Sequence, residues 1–427
     1  MKLSFDTLGL AEPLRRALNA EKYLTPTPIQ VQAIPVLITG KDLLGVAETG
    51  TGKTAAFSLP LLHRLSLNKE TRTPGAPRAL ILAPTRELAR QIGERIEAYG
   101  RHMNLRAAVI FGGVGQGQQV KALKSGVDVL IATPGRLIDL CGQRHVRLDK
   151  VSILVLDEAD RMLDMGFIHD VRKIVGLCRK ERQTLLFSAT MPEPIAKLAH
   201  DILRNPVRVN VSPIKVAVER IDQRVYFVGA KDKKTLLTEL IKDAKISRVL
   251  VFTRTKRGAD RVCRHLVQAG IAADALHGNK AQNARVRALD GFRSGRVRAL
   301  IATDIAARGI DVPGISHVIN FELPNEPESY VHRIGRTARA GAEGVALSLC
   351  DQSELPFLKA IERLMRAPVE VAEHHLSVSP HATSTREAQS RPSNRQPARR
   401  RKRYRNRRPI DAPSRPRNAL GQSGAQH

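Results

Sequence analysis

Three short stretches of this 427-residue chain gather residue types suited to phosphate chemistry. The first, Ala47-Glu48-Thr49-Gly50-Thr51-Gly52-Lys53-Thr54, ends like a phosphate loop, although Ala47 stands where the general pattern has a glycine. Glycines let backbone N–H groups approach phosphate oxygens, Lys53 offers a point charge to the β and γ phosphates, and Thr54 offers a hydroxyl to Mg²⁺. The second stretch runs four apolar residues, Ile153 to Leu156, into Asp157, Glu158 and Asp160. A helix N-terminus stabilises one or two acids by about 0.3–1 kcal/mol each, which accounts poorly for a cluster at the end of a buried strand. An acid at that place can hold a metal through water, and its neighbour can polarise an attacking water. The third stretch, HRIGRTARAG from residue 332, sets Arg333, Arg336 and Arg339 three apart, so a helical or turn-like backbone aims them along one face.

These groups need a scaffold that converges them. Apolar, β-branched runs recur at Ala79 to Ala83, Val127 to Ala132, Ile153 to Leu156 and Thr184 to Phe187. They resume at Val225 to Val228, Val249 to Phe252, Ala299 to Ala302, His317 to Phe321 and Val345 to Leu349. Helical periodicity fills intervals such as Arg86 to Tyr99, Arg257 to Gln268 and Asn283 to Phe292. Alternating strands and helices, with strands apolar on both faces, predict doubly wound parallel sheets. Asn205-Pro206 closes one series and a new one begins after residue 220, so two α/β domains are expected.

The net charge of +29 calls for a polyanion. Residues 386–427 hold 13 Lys/Arg against 2 acids, including the run Arg399 to Arg403, and read as a disordered basic tail. Because +18 remains on residues 1–385, the folded part is itself basic, which favours nucleic acid over a lipid surface bound by the tail alone. Cys141, Cys178, Cys263 and Cys350 are too far apart for paired zinc spacing or a dense disulfide framework, so a reducing cytoplasm fits best. Asp6, Glu12, Arg15 and Arg16 interrupt any N-terminal signal core, and no apolar run of about 18 residues occurs, so no membrane span is expected.

Ten motifs in one order then carry a resemblance: PTPIQ at 26, AETGTGKT at 47, PTRELA at 84, GG at 112, TPGR at 133, DEAD at 157, SAT at 188, VFTRT at 251, ATDIAARGID at 302 and HRIGRTARAG at 332. Over about residues 5 to 365 the sequence resembles the DEAD-box ATP-dependent RNA helicases, and its Arg-rich tail resembles the bacterial RhlE-type branch. The resemblance implies two tandem RecA-like domains: an adenine-recognition segment 1–32, an ATP-binding domain 33–212, a linker 213–220, a C-terminal helicase domain 221–366 and a tail 367–427.

It also implies roles. Gln30 reads the adenine edge, Tyr23 packs on the base, and Phe5 matches the isolated upstream aromatic. Asp157 holds Mg²⁺ with Thr54, partly through water, and Glu158 orients the attacking water. Arg336 and Arg339 act as arginine fingers on the γ-phosphoryl, and Asp311 touches the ribose. Asp160, Ser188, Ala189, Thr190 and His332 couple nucleotide state to unwinding. RNA phosphates and sugars meet Arg86, Gly113, Thr133 and Arg136 from one domain, and Thr255, Gly278, Gln282, Arg285 and Thr303 from the other. With no Trp and 4% aromatics, base stacking is poorly supplied, so RNA binding should be sequence-independent.

The expected activity is ATP-driven local unwinding of RNA, with two alternatives. One is an ATP-gated RNA clamp or annealing chaperone, and the other is a DNA helicase on the same engine. Ribosomal precursor RNA and the RNA-decay machinery are both compatible partners, and the sequence does not choose between them. Three departures from the family pattern stand out: Lys22 and Ala338 replace frequent glycines, and Asn279 replaces a common Asp.

Overall fold

The computed structural model describes residues 4–47, 50–68, 70–211, 221–244, 246–307, 312, 314–338 and 343–376. The linker 213–220, the basic tail from 386, and the site residues Glu48, Thr49, Asp311 and Arg339 lie outside the described residues.

Two seven-stranded parallel sheets follow one another along the chain. The first comprises β1 (Leu43–Ala47), β2 (Ala79–Leu82), β3 (Ala107–Ile110), β4 (Val129–Ala132), β5 (Ile153–Leu156), β6 (Gln183–Ser188) and β7 (Val207–Val211), in the order β3-β4-β2-β5-β6-β1-β7. The second comprises β8 (Ile221–Phe227), β9 (Val249–Thr253), β10 (Ala273–Leu276), β11 (Ala299–Thr303), β12 (His317–Asn320), β13 (Gly344–Cys350) and β14 (Glu370–Val371), in the order β10-β11-β9-β12-β13-β8-β14. Counted from its own first strand, the second order repeats the first strand for strand.

Central strands are apolar throughout because each has a core on both sides. Ala79, Ile81, Ile153 and Val155 pack on one face of the first sheet, and Leu80, Leu82, Leu154 and Leu156 on the other. The same alternation divides Val249 and Val251 from Leu250 and Phe252 in the second.

Four strands carry no clear signal in the sequence, and all four are sheet edges: β3, β7, β10 and β14. Edges bury less surface, so residues such as Arg208, Asn210 and Asp274 enter them and the apolar run breaks. The expected start of the tail at residue 367 is too early. Val369 is buried, β14 pairs in parallel with β8, and His374 Nε2 lies 2.8 Å from the Phe227 carbonyl oxygen. A two-residue strand with both side chains exposed leaves no pattern to read.

The candidate residues cluster at one end of each sheet. Lys53, Arg86, Gly113, Thr133, Asp157 and Ser188 all stand at or just beyond the carboxyl ends of strands β1 to β6. Thr255, Gly278 and Thr303 do the same in the second sheet. Crevices outside the carboxyl ends are where open α/β sheets bind ligands.

Candidate nucleotide site and interdomain face

β1 is followed by the helix Lys53–Leu67. Gly52 has φ +95°, and a Cβ there would lie 2.4 Å from Gln30 Nε2, so the position requires glycine on both counts. Lys53 is buried and its Nζ donates to the Ala47 carbonyl at 2.8 Å. Gln30, buried in the first turn of the helix Pro28–Ile38, accepts from Thr27 N at 2.9 Å and donates to the Gly52 carbonyl at 3.1 Å. The N-terminal segment is thereby joined to Gly52 by one side chain. The two expected upstream aromatics lie against the first core. Phe5 is 4% exposed within the first core, and Tyr23 packs against that core with its ring edge-on to Tyr99 at 6.0 Å.

The strand-end acids are all buried. Asp157 Oδ1 has no hydrogen-bond partner among the described residues. Burial pushes the Asp157 carboxyl up to about 6, against the pull of Lys53 and with a further push from Glu158. An orphaned, buried carboxylate oxygen under the influence of the Lys53 charge suits a hydrated Mg²⁺, so Asp157 fits that ion. Glu158 caps the helix Ala159–Asp164 with φ +55°, a left-handed conformation that costs a non-glycine residue about 1 kcal/mol or more. Its Oε2 accepts from Arg161 NH1 at 2.7 Å, and both side chains are 4% exposed.

Asp160 faces β6 instead. Its Oδ2 accepts from Ala189 N at 3.1 Å, Thr190 N at 2.8 Å and Thr190 Oγ1 at 2.9 Å. Asp160 N donates to Ser188 Oγ, which in turn donates to the Thr190 carbonyl. The expected grouping of Asp160 with Ser188, Ala189 and Thr190 is therefore a closed hydrogen-bond network.

On the second domain, the helix Pro327–Ile334 and the turn after it carry His332, Arg333 and Arg336. The three-residue spacing does not give equivalent arginines. Arg333 is 1% exposed, paired with Asp304 at 2.6 Å, bonded to Asn320 Oδ1 and the Glu322 carbonyl, and stacked over Phe252. It is a core arginine. Arg336, also buried, donates through Nε to the His332 carbonyl. A water-sized cavity of about 20 Å³ is lined by Arg161 from the first domain and by His332, Arg333, Arg336 and Asp304 from the second.

A second meeting point lies where the helices Arg86–Gly100 and Gln282–Arg293 begin. Arg86 NH1 donates to Gln282 Oε1 at 3.3 Å, Gln282 Nε2 donates to Glu87 at 3.4 Å, and Arg285 pairs with Glu87 at 3.0 Å. Arg90 lies 3.6 Å from Asp290. Gly113, φ +75°, lets Arg86 lie across it: a Cβ would come within 2.2 Å of the guanidinium. Burial, then Arg285 and Arg136, lower the Arg86 pKa, as expected where three guanidinium groups share one face. Arg136 is held by Gln119 and the Val114 carbonyl. Thr133 and Thr303 are buried, Gly278 is exposed, and Thr255 is an exposed helix cap accepting from Gly258 N. Glu87, Arg161 and Asp304 were not singled out in the sequence. Glu87 falls within PTRELA and Asp304 within ATDIAARGID, while Arg161 follows Glu158 by three residues.

Residues 27–198 match the DEAD/DEAH box helicase family and residues 232–341 match the helicase conserved C-terminal domain. The DEAD-box ATP-dependent RNA helicase CshA of Bacillus subtilis is 42% identical over 365 residues, which cover 85% of this chain and 72% of that one. CshA of Limosilactobacillus reuteri is 41% identical over 366 residues, with the same coverage. Among solved structures, Saccharomyces cerevisiae Dbp5 bound to RNA and ADP BeF3 superimposes with a TM-score of 0.78 at 33% identity, over 91% of this chain and 98% of that one. Mss116 bound to ssRNA and UDP-BeF gives 0.80 at 28% identity, over 92% and 84%. Two tandem RecA-like domains whose strand ends carry a phosphate loop and buried acids define a nucleotide-driven motor of the helicase class. The chain belongs to the DEAD-box family of ATP-dependent RNA helicases. The CshA relatives lend no support to the RhlE-type branch. Among the described residues no helix is long and apolar enough to cross a membrane.

Proposed function

We propose that the protein couples ATP binding and hydrolysis to sequence-independent RNA binding and to local unwinding of short duplexes or remodelling of RNA–protein complexes, in the cytoplasm. The observation that carries this is the shared cavity: Arg161, bonded to Glu158, faces His332 and Arg336 of the other domain. Acids on one domain and arginines on the other form one seam, so hydrolysis depends on how the domains stand together.

In this reading Gln30 selects adenine and reports it to the loop at Gly52. Lys53 binds the β and γ phosphates. Asp157 and Thr54 would hold Mg²⁺, partly through water, which when bound neutralises phosphate charge. Glu158 takes the orienting role toward water, and Arg336 with Arg339 neutralises charge on the γ-phosphoryl, an effect that contributes about 10³–10⁵ in rate in other nucleotide hydrolases. Asp160 relays the arrangement to Ser188 and Thr190. RNA lies across Arg86, Arg136, Gln282 and Arg285, whose donors suit phosphate and sugar oxygens and carry no base code. Unwinding a few pairs is within reach of such a cycle, since stacking is worth about 1–2 kcal/mol per step by the DNA range.

The test is RNA-stimulated ATP turnover and strand displacement by the purified chain, with Glu158→Gln as control. Turnover only in the wild type, with ATP-dependent displacement, is expected. Equal turnover in both proteins sinks the assignment. Tight ATP-dependent RNA binding with hydrolysis but no displacement replaces it with a clamp, and preference for DNA in competition replaces the substrate.

A further inference from the structure

Glu158 is a buried acid whose ionic partner, Arg161, comes from its own helix. Their 2.7 Å contact leaves each side chain 4% exposed. Buried pairs of this kind hold their members in fixed geometry, because separating them strands a charge in a medium that solvates it poorly. The left-handed backbone at Glu158 turns the residue out of the strand direction, and Arg161, three residues on, is where a helical turn brings a side chain back beside it. Arg161 is also the first-domain wall of the cavity whose other lining residues, His332, Arg333 and Arg336 among them, belong to the second domain. One guanidinium thus touches the acid on one side and borders the arginine-bearing helix on the other. Asp160, the residue immediately before Arg161, is turned to Ser188 and Thr190 and cannot serve both directions.

We propose that Arg161 is a positioning residue of the hydrolytic site: it fixes the Glu158 carboxylate at the domain seam and makes that placement depend on His332 and Arg336 across the cavity. The proposal rests on the assignment of Glu158 as the water-orienting acid. A long, planar donor is required, because lysine offers a single point charge where guanidinium can hold the carboxylate and face the cavity together.

The experiment is steady-state ATP turnover by the full chain with saturating RNA, comparing wild type, Arg161→Met, Arg161→Lys and Glu158→Gln, with thermal unfolding of each. Arg161→Met is expected to lower kcat roughly 10- to 100-fold, the range of a misplaced catalytic group, while the KM for ATP stays within about twofold. Arg161→Lys recovers part of the rate, and single-turnover hydrolysis by Arg161→Met/Glu158→Gln is no slower than by Glu158→Gln alone, as for residues acting as a unit. Wild-type kcat in Arg161→Met overturns the proposal, as does a fall in ATP affinity that accounts for the whole loss. If Arg161→Met does not fold, Arg161→Lys carries the test: reduced kcat at unchanged unfolding temperature is expected, and wild-type kcat overturns it. An active Glu158→Gln would instead mark failure of the functional assignment on which the proposal rests.

Discussion

Arg285 of the second domain pairs with Glu87 of the first at 3.0 Å, with side chains 12% and 4% exposed. Glu87 is thus the negative centre of a face built from Arg86, Arg136 and Arg285, and Gln282 braces it from the same helix as Arg285. Glu87→Gln should loosen the seam and shrink the ATP-dependent gain in RNA affinity by about fivefold or more, the lower end of typical coupling energies. RNA binding measured with and without a non-hydrolysable ATP analogue checks this, and an unchanged ratio counts against it.

Gln30 joins Thr27 N to the Gly52 carbonyl. Gln30→Ala should raise the KM for ATP about tenfold, the effect of losing one hydrogen bond of about 1.4 kcal/mol, with a further loss of about 1 kcal/mol of stability from the helix start. Gly52→Ala meets both a positive φ and the Gln30 amide, so its nucleotide affinity should fall further than that of Gln30→Ala. Titration with a fluorescent ATP analogue orders the two.

Both replaced glycines sit in left-handed backbone: Lys22 at φ +59° and Ala338 at φ +53°. Lys22 ends the helix Glu12–Ala20, with Lys22 N bonded to the Asn19 carbonyl and Tyr23 N to the Leu18 carbonyl. Relief of about 1–2 kcal/mol exceeds the roughly 0.5–1 kcal/mol that glycine loses through chain entropy. Lys22→Gly and Ala338→Gly should each raise the unfolding temperature by about 2 °C. A decrease in both would show that side-chain contacts outweigh the backbone term.

Asp128 is buried between Arg72 at 2.6 Å and Arg78 at 2.7 Å, and also accepts from Arg106 N. Burial pushes its carboxyl up, but these three donors outweigh it and hold the pKa below the usual range. A depressed carboxylate stabilises the fold above about pH 4 and loses that contribution as pH falls through the folded pKa. Asp128→Asn should cost about 3 kcal/mol near neutrality, and the gap from wild type should narrow below about pH 4. Denaturant melts across that range measure it; a gap constant with pH would exclude the charge as its source.

The Arg-rich segment 386–427 should act as a nonspecific RNA tether. Each phosphate contact on single-stranded RNA adds about 0.7 to the slope of log affinity against log salt. Deleting the segment should flatten that slope and leave RNA-free ATP turnover unchanged; an equal slope in both proteins would remove the tether.

Much of the fold and of the site could be read along the chain, for local reasons. Central parallel strands are buried on both faces, so Ile153 to Leu156 and Val249 to Phe252 announce themselves as apolar runs, whereas the polar edges β7 and β14 do not. The loop at Gly52-Lys53-Thr54 and the acids after β5 are contiguous, because one turn at a strand end must supply them. The pairing of Asp160 with Ser188 and Thr190 joins two strand ends and could be expected only from the ordered motifs. Three things were decided by packing. Regular spacing made Arg333 and Arg336 alike, yet Asp304, Asn320 and Phe252 take Arg333 into the core. Phe5 and Tyr23 stood out only as upstream aromatics, and packing sets Phe5 inside the first core and Tyr23 half-buried against it. Glu87 and Arg161 meet residues that lie far away in sequence or across the domain seam, and charge pairing at such distances leaves no periodicity to find. The sequence by itself determined the central strands, the Gly52-Lys53-Thr54 stretch and the order of the motifs, because these depend on neighbours in the chain. That Arg333 is tied into the core while Arg336 is not was decided only by tertiary packing, because burial and ion pairing depend on neighbours in space.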